Sequence, residues 1–158
     1  KLIMSNPRVI VPAWKDLPKP KLIENLKQWL SLYPQHEWHT FGLHVLYYLL
    51  DGGELIIKSY AVEDLKKMIK NGSWLGLGLD EVWLWGHRIP SGKNDVDDMD
   101  HGTSGHFVLV KEMKGDKFVV SDPFPANIPG KCGIYEVTGE ELLNASLIWS
   151  ATVIEIIK

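Results

Sequence analysis

The chain is short of cysteine: Cys132 is the only one in 158 residues. A single thiol excludes an internal disulfide framework and any multi-cysteine zinc site. It suits a reducing compartment, so a cytoplasmic location is expected. Long apolar runs are missing too. No stretch reaches the ~18–20 residues that a transmembrane helix needs, and no secretory signal pattern opens the chain. Excess positive charge is also absent. With 17 Lys and Arg against 20 Asp and Glu the net charge is -3, which leaves no electrostatic footprint for nucleic acid. Internal repeats and low-complexity tracts do not occur. What remains, 45% hydrophobic and 23% charged residues, is the composition of an ordinary globular protein of one domain's length. The expected organisation is one domain, 1–158, with residues 1–20 as an extended Pro-rich lead-in. The chain opens on Lys1 rather than Met, as a processed or truncated product would.

Pro7, Pro12, Pro18 and Pro20 keep the lead-in extended and turn-rich. Apolar spacing then predicts a helix over 21–32, ended by Pro34, and a second over 42–50, apolar enough to be buried on most sides. Residues 54–60 (ELIIKSY) read as a strand, 61–70 as a short amphipathic helix closed by Asn71-Gly72, and 74–80 (WLGLGLD) as a buried strand. VWLWGHRI reads as another strand, followed by a long polar loop over 91–104. HFVLVKEM and KFVVSDP form an antiparallel hairpin about a Lys-Gly-Asp turn. GIYEV is a strand, Thr138 caps a short helix (GEELLNA), and LIWSATVIEII is the last strand. Helices in the first half and antiparallel strands in the second predict an α+β domain.

The hairpin carries the pair with the clearest chemistry, His106 and Asp122. With a three-residue loop, Lys114 to Asp116, Val108 pairs with Asp122, and His106 becomes a diagonal neighbour of Asp122 on one face, roughly 7–8 Å away. Imidazole and carboxylate bridge that distance, so Asp122 could fix the tautomer and orientation of His106. A two-residue Gly115-Asp116 turn would shift the register by one and put the two on opposite faces. The plainer alternative is a surface histidine and a strand-end Asp-Pro turn.

A His–Asp pair of this kind serves a nucleophile, and Cys132 is the available thiol. It stands only ten positions beyond Asp122, and a strand follows it, so no helix N-terminus activates it. It reads instead as a small, semi-buried residue at a strand start. His36 and His39 in HEWHT sit one residue closer than the metalloprotease spacing and lack a third ligand. His44 reads as a core histidine. Asp95, Asp97, Asp98 and Asp100 lack the glycine and terminal glutamate of a calcium loop. No metal site and no cofactor are expected. Of the seven tryptophans, Trp83 and Trp85 would alternate on a strand beside the hairpin, as core or as the lining of a peptide groove.

GHFVLVKEMKGDKFVVSDPFP resembles the histidine–aspartate hairpin of the bacteriocin-processing, double-glycine leader peptidases, which are papain-like cysteine peptidases. DLKKMIKNGSWLGLGLD is similar to their preceding helix, turn and strand, and residues 133–156 to their closing strand, helix and strand. The resemblance covers roughly residues 42–157. It implies a helical N-terminal half packed on a twisted antiparallel sheet, with His106 as general base and Asp122 as its orienting partner. It also implies a nucleophile in a Cys-Gly setting at a helix start, with an oxyanion-binding glutamine just upstream.

Two alignments account for the missing cysteine. In one, Gln35 is the oxyanion residue and Phe41-Gly42 stands where Cys-Gly belongs, so the domain is a dead peptidase. In the other, residues 40–60 are the family's later helix and strand, and the nucleophile precedes Lys1. Counting elements favours the second. The expected function is peptide-bond hydrolysis by acyl transfer, on a peptide or protein substrate, with this chain by itself inactive. The alternative is a non-catalytic peptide-binding module on the same fold.

Overall fold

A stripe of leucines four apart, Leu22, Leu26 and Leu30, makes one face of the first helix apolar and buries it. The computed structural model describes residues 1–4, 6, 8–89, 95–99, 102–124, 128 and 130–157, in two compact units, Lys1–Ser59 and Tyr60–Lys158. The first unit holds that helix, α1 (Lys19–Leu32), and α2 (His39–Leu50). Strands β1 (Leu2–Met4) and β2 (Leu55–Ile57) pair in parallel, which the long helical crossover between them permits. The lead-in therefore holds a strand and a 3-10 turn at Pro12–Trp14 rather than extended chain throughout. In α2 only Gly42, Val45, Leu46 and Leu49 are buried, while Tyr47 and Leu50 are exposed, so this apolar helix has one wet side. Gly42 lies where a Cβ would come within 2.6 Å of the Trp29 ring, which lets α1 and α2 approach closely.

The second unit is an antiparallel sheet, β7-β3-β4-β5-β6. Its strands are β3 (Trp74–Asp80), β4 (Gly105–Lys114), β5 (Lys117–Ser121), β6 (Ile134–Val137) and β7 (Thr152–Ile156), with α3 (Val62–Lys70), α4 (Glu81–Trp85) and α5 (Gly139–Trp149). Leu75, Leu77 and Leu79 alternate into the core, and so do Val108 and Val110 opposite them. The chain is thus a mixed α+β protein, with its longer helices first and its antiparallel strands last. Among the described residues no helix is long and apolar enough to cross a membrane.

Two elements differ from the sequence expectation. VWLWGHRI holds no strand. The Asp80 carboxylate caps a helical turn by accepting from the Trp83 amide at 3.0 Å, and Gly86 ends it in the left-handed region at φ 75°. The caps at both ends outweigh the β propensity of Val and Trp. Likewise α5 continues through Leu147–Trp149, which the sequence pattern assigned to the last strand. Thr138 caps its start, as expected, and Glu141 completes a capping box with it.

Candidate functional site

The hairpin turn has two residues, not three: Lys114 pairs with Lys117, and Gly115 takes φ 64°. By itself this would put His106 and Asp122 on opposite faces. A β-bulge at Lys111 cancels the shift. The register passes from Glu112↔Val119 to Val110↔Val120 and Leu109↔Ser121. One step past Ser121 it sets Asp122 opposite Val108, as the three-residue loop would have done. The two errors compensate, and the pair meets: His106 Nε2 lies 2.7 Å from Asp122 Oδ1, with side chains 12% and 2% exposed.

Asp122 is built in from four directions. Oδ1 accepts from His106 Nε2 and from the Phe124 amide at 2.9 Å. Oδ2 accepts from the Tyr135 hydroxyl at 2.6 Å and the Trp85 indole at 3.0 Å. These donors fill a carboxylate's acceptor sites. Burial alone would raise the Asp122 pKa, but the hydrogen bonds, led by His106 and Tyr135, outweigh it and lower the value from 3.8 to about 2. Tyr135, buried beside that anion, is pushed well above its ordinary value and stays protonated.

Because Nε2 is bound to the carboxylate, the basic nitrogen of neutral His106 is Nδ1, which has no hydrogen-bond partner among the described residues. This is the reverse of the serine-protease arrangement, in which Nδ1 faces the carboxylate. Trp85 and Phe124 wall the imidazole, with ring centroids 5.5 and 6.0 Å away. Trp85 reaches the site because α4 is a helix. Trp83, two positions earlier, points elsewhere and is 56% exposed, while Trp85 is 3% exposed, so the two do not line one strand face.

Cys132 is a free, exposed thiol rather than a semi-buried one. It precedes β6, and β5 separates β6 from β4. Two strand spacings, about 10 Å, thus lie between the strands that flank Asp122. The carboxylate stands on the Cys132 side of His106, since the Asp122 amide donates to the neighbouring Gly133 carbonyl at 2.7 Å. His44 is exposed on the wet side of α2, not in the core. Phe41 is half-buried, edge-on to Trp38 at 5.7 Å, and Gln35 is exposed before the helix. His36 Nδ1 accepts from the Trp38 amide, an internal use. Asp98 accepts from the Arg88 amide and bonds the His87 ring, and Asp97 accepts from the Met99 amide. Asp100 falls outside the described residues, as do 91–94 of the polar loop. Among the described residues no group of three or more His, Cys, Asp or Glu could hold a metal ion.

Tyr135 and Asp80 also belong to the site, with no motif in the sequence to mark them. Tyr135 pairs with Val120, so it is a diagonal neighbour of Asp122 on the opposite side from His106. Alternation within GIYEV marks it as inward-facing, but its register depends on the chain between 122 and 134, which carries no periodic signal. Asp80, buried, accepts from the Ser104 amide at 3.0 Å as well as from Trp83. It thereby ties the start of β4, and with it His106, to the helix that carries Trp85. Against known proteins the chain finds no match: no family model, no curated protein and no solved structure is similar to it.

Proposed function

We propose that His106 and Asp122 are the general base and its orienting partner in a cysteine-peptidase-type site, on a fold of the papain-like, leader-peptidase kind. The observation that carries this reading is the fixed Nε2 of His106, with Nδ1 unpartnered among the described residues, beside a fully ligated carboxylate. In the reaction Nδ1 takes the thiol proton as sulfur attacks the scissile carbonyl carbon. The imidazolium then protonates the departing amine. Water, deprotonated by the same nitrogen, hydrolyses the thioester and regenerates the thiol. Cys132 is not the thiol, because Asp122 stands between it and the imidazole. The nucleophile is contributed by a segment outside residues 1–158, a peptide or protein is the substrate, and the 158-residue chain by itself is inactive. A reducing, cytoplasmic setting suits the exposed thiol of Cys132.

The second reading, a peptide-binding module without catalysis, is favoured by Phe41-Gly42 in the first turn of α2, six residues after Gln35. The test is hydrolysis of a double-glycine peptide by the chain extended to its natural upstream start. Cleavage that iodoacetamide blocks and His106→Ala abolishes is the expected result. Binding without cleavage selects the second reading, and cleavage by the 158-residue chain itself contradicts the missing nucleophile.

A further inference from the structure

Asp122 sits between two diagonal neighbours on one face of the sheet, His106 on β4 and Tyr135 on β6. The two hold different oxygens: His106 takes Oδ1 and Tyr135 takes Oδ2. A carboxylate shares one negative charge over both oxygens, and each charge-assisted hydrogen bond draws on it. The Tyr135 bond at 2.6 Å lies in the short range of hydroxyl–carboxylate contacts. Both partners are buried, so water does not compete.

We infer that Tyr135 is a positioning residue that acts on His106 through Asp122, drawing carboxylate charge toward Oδ2 and so holding down the basicity of the imidazole. A bare carboxylate beside His106 would stabilise the imidazolium more strongly and leave less neutral base at pH 7. With Oδ2 occupied, Asp122 still fixes the ring but favours its protonation less, which suits a base that must accept and release a proton near neutrality. Trp85, on the same oxygen at 3.0 Å, acts in the same direction with a weaker donor.

Several charges on the surrounding elements are engaged elsewhere. Asp80 is taken up by the Trp83 and Ser104 amides, and His87 by Asp98. Lys131 bonds the Leu84 carbonyl and Glu141. Glu81 opens α4, and Leu79 is the β3 neighbour of His106. No lysine or arginine forms an ion pair with Asp122 among the described residues. The charged group that His106 contacts directly is Asp122, whose remaining acceptor sites are held by Tyr135, Trp85 and the Phe124 amide.

This inference rests on the reading of His106 as the base, and the test separates the two. The His106 ring is titrated by NMR in the 158-residue chain, in Tyr135→Phe and in Asp122→Asn, with thermal melts to confirm folding. Tyr135→Phe should raise the ring pKa, and Asp122→Asn should lower it. Should Tyr135→Phe fail to fold, Trp85→Phe removes the other Oδ2 donor and should shift the ring the same way. An unchanged or lowered value in the donor variant, with Asp122→Asn still lowering it, overturns the role of Tyr135. If Asp122→Asn also leaves the ring unmoved, the pair is idle and the general-base reading fails instead.

Discussion

Asp122 stays ionised although its side chain is almost wholly withdrawn from water. Its pKa falls from 3.8 to about 2 in the fold, so ionised Asp122 stabilises the native state by on the order of 2 kcal/mol. The folded value lies below the unfolded one. That stability is therefore complete above about pH 4 and lost as pH falls toward 2. Denaturant titrations should show wild type more stable than Asp122→Asn at neutral pH, with the gap shrinking by about that amount between pH 4 and 2. Cys132 gives an independent check at the same scale. Exposed and on the far side of Asp122, it should react readily with iodoacetamide in the native protein and leave the His106 titration unchanged; a shifted ring would return it to the candidates for the nucleophile. The meeting of His106 and Asp122 was only partly legible in the sequence, because the expected three-residue turn is absent and the bulge at Lys111 restores the shared face. Tyr135 was not, since a tyrosine in an alternating strand looks the same whichever carboxylate it meets.

At the scale of the element, the bulge at Lys111 decides whether the pair exists. The two-residue turn alone puts His106 and Asp122 on opposite faces, and only the extra residue restores them. Because Lys111 is the residue left unpaired, deleting it should leave a regular hairpin with every other pair kept, Val110↔Val120 next to Glu112↔Val119, so the His106–Asp122 coupling in a ring titration and the strand content by circular dichroism should both persist. Loss of the coupling on deletion would contradict this register. Gly105 is a second constraint beside His106. A Cβ there would come within 2.2 Å of the Trp149 indole, so Gly105→Ala should cost about 1–3 kcal/mol in chemical unfolding. The bulge leaves one trace in the pattern, the successive polar pair Lys111-Glu112 that interrupts the alternation, and that alone does not fix its place. Pattern alone also misread α4, where Asp80 and Gly86 decide the conformation and the five residues between them do not.

For the whole molecule, the class was legible and the detail at the joints was not. Long helices early and antiparallel strands late follow from hydrophobic period, which is why α1, α3, β3 and β6 stand close to where the pattern puts them. The parallel pairing of β1 with β2 has no local signal, since the partners are separated by both helices of the first unit. Each unit has its own fully buried leucines, Leu26 in the first and Leu77 in the second, and truncating either to Ala should cost about 2–5 kcal/mol in equilibrium unfolding. The central claim, a histidine held by Asp122 through Nε2 with Nδ1 left as the base, is tested most directly by the long-range proton–nitrogen NMR spectrum of the His106 ring above its pKa. The prediction is the Nε2-protonated tautomer, lost to a mixture in Asp122→Asn. A ring protonated at Nδ1, or one already averaging between tautomers in the wild-type chain, would contradict it.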